Sequence, residues 1–168
     1  MVPSQAAPGT VLITGTTSGV GLYAAKSLFQ RGWRVITANR SPSKAEKAAI
    51  RVGLPAGNDR QLKHLMMDLG DLESVRSFVN ELFNFLEEPL DALVCNAAVY
   101  LPRLKTPQRS PQGYEISMAT NHFGHFLLIQ LLIDNLRQSS RPFWSGQSWG
   151  AEHARVVILG TVTANYKE

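Results

Sequence analysis

Along the chain, short apolar runs without alternation trade places with longer stretches whose apolar residues recur at helical spacing. Val11 to Thr14 is the first such run, and continuous apolarity is the mark of a parallel strand buried on both faces. Behind it Val20, Leu22, Ala24, Ala25, Leu28 and Phe29 follow one helical face, which Arg31 and Gly32 close with a basic last turn and a glycine. Arg34 to Ala38 predicts a second strand. Ser41 before Pro42 predicts an N-cap with proline at the first helical position, and the Lys- and Ala-rich stretch behind it a helix to Arg51.

A polar loop then leads to a third predicted strand, Leu62 to Met67. Asp71 predicts the cap of a helix on which Val75, Phe78, Val79, Leu82, Phe83 and Leu86 form the clearest amphipathic stripe in the chain. Pro89 stops it, and Leu90 to Cys95 predicts a fourth strand. A proline-rich loop precedes a long helix expected over Tyr114 to Arg137, and the polar segment 138–153, which carries Trp144 and Trp149, predicts an unusually long loop. Arg155 to Leu159 predicts a fifth strand. Strands alternating with helices in this way mean βαβ units, so the expected fold is doubly wound α/β with a parallel sheet. Its ligand belongs outside the carboxyl ends of the strands.

Bulk composition changes this picture little. The 168 residues suit one domain, with 1–9 as a tail and 10–168 as the body. A net charge of +4, spread without a like-charge run, gives no reason to expect nucleic acid, though it favours a small anionic ligand. The opening MVPSQAAPGT lacks the pattern of a secretory leader, and the longest apolar stretch, FLLIQLLI at 126–133, is short of a membrane span, so no transmembrane segment is expected. A single cysteine, Cys95, rules out an internal disulfide and suits a reducing compartment.

The candidate chemistry sits in LITGTTSGVGL, residues 12–22. Gly15, Gly19 and Gly21 fall between a predicted strand and a predicted helix, with Thr14, Thr16, Thr17 and Ser18 beside them. Glycines there let the backbone turn and approach a phosphate, which the helix N-terminal amides and dipole then face. At the end of the second strand a carboxylate would grip the ribose hydroxyls of NAD; the sequence instead has Asn39 and Arg40, with Lys44 one turn on. A guanidinium forks onto a 2′-phosphate, so NADPH is the expected cofactor. Asp68 and Leu69 stand where an adenine edge would lie, and Asn96, Ala97 and Ala98 offer a low-bulk backbone to a cofactor after the fourth strand.

With these motifs in hand the chain resembles the short-chain dehydrogenase/reductase superfamily from Thr10 onward. Within it, LVCNAAVY (93–100), TNHFGHFLL (120–128) and GTVTAN (160–165) look like the light-dependent NADPH:protochlorophyllide oxidoreductases of cyanobacteria and plants. The resemblance implies a Rossmann fold with strand order 3-2-1-4-5. It also implies light-driven reduction of the C17=C18 double bond of protochlorophyllide with hydride from NADPH, in chlorophyll biosynthesis. Carried over by position, it gives Gly15, Thr17, Ser18, Gly19, Val20 and Gly21 to the pyrophosphate, and Asn39, Arg40 and Lys44 to the adenosine ribose end. Asp68 and Leu69 go to the adenine, and Asn96, Ala97 and Ala98 to the nicotinamide side. Asn121 and Thr161 take the catalytic positions, Thr161 standing where the superfamily has its serine. Tyr100 follows the NAA turn at the mouth of the cleft, where two readings stay open, a ring that stacks on the flat pigment or plain loop packing.

The chain departs from the superfamily in one respect: Tyr166 and Lys167 are adjacent and follow the last strand too soon to form a Tyr-x-x-x-Lys pair. The expectation is therefore a cofactor-binding portion of a longer protein, inactive alone and lacking the later strands and helices. Cytoplasm or plastid stroma is the implied location, with peripheral thylakoid contact and a homo-oligomer left open. Two other readings also stay open, an NADPH-dependent carbonyl reductase of the retinol-dehydrogenase type and a non-catalytic NADP(H)-binding domain. Cys95 is expected to be buried packing. His122 and His125 lack a third ligand at helical spacing, so no metal is expected; one should pack and the other bond the sheet.

Overall fold

The computed structural model describes residues 9–57, 60–102, 106–139 and 154–160. Five parallel strands form one sheet: β1 (Thr10–Thr14), β2 (Arg34–Asn39), β3 (Leu62–Met66), β4 (Ala92–Cys95) and β5 (Arg155–Ile158), in the order β3-β2-β1-β4-β5. Helices α1 (Gly19–Gln30), α2 (Pro42–Arg51), α3 (Leu72–Phe85) and α4 (Ile116–Arg137) connect them.

The unalternating strands are explained by the two cores they separate. From β1, Leu12 enters a cluster with Ile36, Leu65, Leu93 and the α3 and α4 residues Phe78, Leu82, Leu128 and Leu132. Its neighbours Val11 and Ile13 point the other way, into a cluster with Ala25 of α1, Ala49 of α2, Trp33 and Val35. A strand buried on both sides reads as a near-continuous apolar run, and the buried polar residues these strands do carry, such as Thr14 and Thr37, are hydrogen-bonded.

Buried polar groups tie the layers together. The carboxylate of Asp91 is 4% exposed; it accepts from the Thr10 N–H at 2.7 Å and from the Ser139 hydroxyl at 2.7 Å, fixing the start of β1 against the end of α4. Asn135 adds a bond from the Leu90 N–H at 3.0 Å.

The differences from the sequence expectations are local. α4 starts at Ile116 rather than Tyr114, and β4 at Ala92 rather than Leu90. Val20 and Phe83, both assigned to apolar faces, are exposed. α4 has the length and apolarity of a membrane-crossing helix, which the eight-residue run FLLIQLLI did not suggest, but Leu128, Leu132 and Leu136 spend its apolar face on the sheet. β5 is exposed along its whole length, as is Leu159 beyond it.

Candidate functional site

At the end of β1 the chain turns through Gly15, with φ of 72°, and the Gly15 N–H donates to the Ala38 carbonyl at 3.0 Å. A Cβ on Gly15 would lie 2.7 Å from the Ala97 Cα, and one on Gly21 would collide with the Asn96 amide and the Gly15 carbonyl. Both glycines thus let the turn close on the loop after β4; the near neighbour is the protein's own backbone. Gly19 differs. It too has positive φ, 58°, but among the described residues nothing lies within 4 Å of where its Cβ would be.

α1 begins at this open glycine. Its N-cap, Ser18, makes no side-chain cap bond, whereas Ser41 caps α2 by accepting from the Lys44 N–H and Asp71 caps α3 by accepting from the Glu73 N–H. The first-turn amides and positive dipole end of α1 therefore lie at an open surface bordered by Ser18, Gly19 and Val20, with Thr17 half-buried beside them.

Three buried hydroxyls and two amides hold the turn in shape. Thr14 Oγ1 accepts from the N–H groups of Asn96 and Ala97, each at 3.0 Å, and lies 3.0 Å from His125 Nε2. Asn96 donates back to the carbonyls of Thr14 (2.9 Å) and Gly15 (2.8 Å). On the other side Asn39 Oδ1 accepts from the Thr16 N–H at 2.7 Å, while its Nδ2 donates to the hydroxyls of Thr16 and Thr37 at 3.1 Å each. Asn39 and Asn96 spend these bonds on the protein's own turn, so they shape it.

Arg40, directly after Asn39, is exposed, and so is Lys44; neither makes an ion pair among the described residues. Asp68 Oδ1 accepts from the Gly70 N–H at 2.8 Å at the carboxyl end of β3. Leu69 is buried, with its carbonyl facing Gly124 so closely that no side chain fits there.

α4 contains a π-helical turn over Ala119–Phe123 that the sequence pattern does not announce. Such turns often accompany functional positions. This one carries Asn121. It is exposed, yet doubly bonded: Oδ1 accepts from the Val99 N–H at 2.8 Å and Nδ2 donates to the Val99 carbonyl at 2.9 Å. The Asn121 carbonyl lies 3.4 Å from His125 Nδ1. A proton on Nδ1 satisfies that carbonyl and leaves Nε2 to accept from the Thr14 hydroxyl, so one ring joins α4, β1 and the loop after β4. Burial holds the His125 pKa below its ordinary value, in keeping with this neutral form. His125 is thus the histidine that bonds the sheet, and His122 lies on the surface against Phe123 and Phe126. Tyr100 stands 86% exposed after the Asn96–Ala98 turn. Thr161, Trp144, Trp149, Tyr166 and Lys167 lie outside the described residues.

Cys95 is buried at the end of β4, and burial pushes its thiol up to about 12. At pH 8 roughly one molecule in 10⁴ carries the thiolate. Iodoacetamide should leave Cys95 unmodified in the native chain and alkylate it fully in urea, as read by mass spectrometry. Equal labelling in both states would contradict this environment.

The sheet order and the glycine turn at the carboxyl end of β1 define a Rossmann-type α/β domain. Residues 9–142 match the family model for short chain dehydrogenases, and the chain belongs to that family. It is 48% identical over 158 residues to a chloroplastic protochlorophyllide reductase from Daucus carota, covering 94% of this chain and 36% of that one. A second, from Chlamydomonas reinhardtii, is 46% identical over 165 residues, with coverages of 98% and 38%. The chain therefore spans little more than a third of the length of these relatives. Among solved structures, an uncharacterized protein from Mycobacterium paratuberculosis superposes with a TM-score of 0.63 at 36% identity, covering 77% of this chain and 43% of that one. The Pseudomonas aeruginosa RhlG/NADP active-site complex does so with a TM-score of 0.59 at 26% identity, covering 79% and 49%.

Proposed function

We propose that this chain is the cofactor-holding portion of an NADPH-dependent oxidoreductase that reduces protochlorophyllide in chlorophyll biosynthesis, located in the plastid. The observation that carries the cofactor half of this reading is the uncapped, open N-terminus of α1 at the carboxyl end of the sheet, the end at which Arg40 follows β2. A dinucleotide fits what the residues leave available: amides without a side-chain cap for a diphosphate and a guanidinium without an ion pair among the described residues for a 2′-phosphate. The substrate half rests on 46–48% identity, across nearly the whole chain, to relatives named as protochlorophyllide reductases.

When bound, NADPH supplies the hydride for reduction of the pigment's C17=C18 double bond. The first-turn amides of α1, with Thr17 and Ser18, bind the diphosphate. Arg40 and Lys44 bind the 2′-phosphate, and the carboxylate of Asp68 bounds the adenine side. Asn39, Asn96 and Leu69 keep these groups in place from behind. Ala97 and Ala98 let the backbone run close to the nicotinamide end. Asn121 holds Val99, and with it the loop that ends in Tyr100, whose exposed ring stacks on the planar pigment. Thr161, which follows β5 in the sequence and lies outside the described residues, keeps the role the resemblance gives it.

Absorption spectroscopy tests the assignment. Protochlorophyllide mixed with the protein and NADPH should show a visible band shift that is absent without NADPH. No shift, together with dark turnover of a retinoid, would move the assignment to a carbonyl reductase of the retinol-dehydrogenase type.

A further inference from the structure

Behind Asn39 the hydrogen-bond chain continues to a second histidine. Thr37 Oγ1, fully buried on β2, accepts from Asn39 Nδ2 and lies 2.6 Å from His64 Nδ1 on the neighbouring strand β3. His64 Nε2 is buried and has no hydrogen-bond partner among the described residues, under the turn at Gly57, where a side chain would strike the ring.

Counting donors and acceptors selects the protonation state. If Nδ1 is bare, the Thr37 hydroxyl donates to it, Thr37 Oγ1 accepts from Asn39, and the only unmet group is the Nε2 N–H. If Nδ1 carries a proton, the Thr37 hydroxyl loses its acceptor as well, a second buried loss. The first arrangement wins, and it dictates direction along the whole chain. With Thr37 Oγ1 accepting, Asn39 must turn Nδ2 toward it, and Oδ1 then faces the Thr16 N–H. Protonation of His64 frees the Thr37 hydroxyl to seek the Asn39 oxygen, the same oxygen that holds Thr16.

We propose that His64 and Thr37 are positioning residues for the cofactor-binding turn: through the amide of Asn39 they hold Thr16, and with it the N-terminus of α1, in the geometry that accepts a diphosphate. This rests on the cofactor reading above. The charged groups bearing on His64 are Glu46 of α2, which favours the protonated ring, and Lys63 of β3, which disfavours it. Burial is the larger influence and holds the His64 pKa below its ordinary value. His64 therefore stays neutral above pH 6.5, and the chain of bonds fails as the pH falls through its lowered pKa.

The test is NADP⁺ binding to the 168-residue chain at pH 8.0 and at acid pH, for wild type, Thr37→Val and Thr37→Ser, with melting temperatures alongside. The ratio of variant to wild-type affinity cancels titration of the cofactor's own phosphate. At pH 8.0, Thr37→Val should bind about tenfold more weakly and Thr37→Ser within about twofold of wild type. At acid pH the gap between wild type and Thr37→Val should close to about twofold, because protonated His64 has already broken the chain. Thr37→Val that binds like wild type at pH 8.0 while melting lower, or a gap that does not change with pH, overturns the proposal. Wild type that shows no saturable NADP⁺ binding overturns the cofactor reading instead, and this inference with it. Without any variant, the Thr16 amide resonance of the wild type should titrate together with the His64 ring. A Thr16 amide unmoved while the ring titrates also overturns it.

Discussion

Gly15→Ala should unfold readily, while Gly19→Ala should fold and fail to bind cofactor. At Gly15 an added methyl would lie 2.7 Å from the Ala97 Cα, against backbone that Thr14 and Asn96 hold in place, and φ is 72°. Strained backbone and overpacking together cost about 2–5 kcal/mol, a large share of the stability of a domain this size. A drop of about 5–20 °C in melting temperature follows. At Gly19 the backbone also has positive φ, but the methyl meets nothing, so the folded chain loses only the backbone term of about 1–2 kcal/mol. Its methyl instead occupies the space in front of the α1 amides. Gly53→Ala, at φ 82° with equally open surroundings far from the site, controls for the backbone cost. Urea denaturation and NADPH titration separate the two effects. Gly19→Ala that bound NADPH as tightly as wild type would remove the diphosphate from this turn.

That pair of glycines also shows how far the sequence could be read. The motif predicted a phosphate site after the first strand, yet it did not distinguish a glycine with open space before it from those the fold itself requires. The distinction depends on the loop after β4, some eighty residues away. Elements set by local chemistry were legible almost to the residue: α2 runs Pro42–Arg51 because Ser41 and Pro42 start it and Gly53, with φ of 82°, follows its end. The amphipathic stripe of α3 was legible except at its margin. At about 100° per residue Phe83 lies about 80° from Val75, at the edge of the face, and it is exposed.

Features made by long-range pairs left no trace in the pattern. The π-turn in α4 sits inside uninterrupted helical spacing, and the hydroxyls that His125 and His64 meet, those of Thr14 and Thr37, belong to β1 and β2. Asn39 was expected at the end of β2, facing the cofactor; its amide bonds lie within the protein. The alternation of a strand turns it inward, onto Thr16 and Thr37, and leaves the next residue, Arg40, to face outward.

Arg40 should accordingly decide which nicotinamide cofactor binds. It follows the last residue of β2, exposed and without an ion pair among the described residues, so its planar fork is available to a 2′-phosphate without first breaking an internal bond. Arg40→Ala should weaken NADPH between about tenfold and a hundredfold, the range for a charge-assisted bidentate contact, and leave NADH within about twofold. Arg40→Asp should go further, repelling the 2′-phosphate and offering NADH a carboxylate for its ribose hydroxyls. Lys44 is a point charge on a flexible stem, so Lys44→Ala should cost only a few-fold. Because both side chains are solvated, raising the salt concentration should shrink the NADPH preference of the wild type and leave NADH nearly unchanged. Fluorescence titration with both cofactors across this series reads the preference directly. If Arg40→Ala weakened NADPH and NADH equally, the arginine would be acting on the turn or the fold, and the 2′-phosphate would have to be recognised elsewhere.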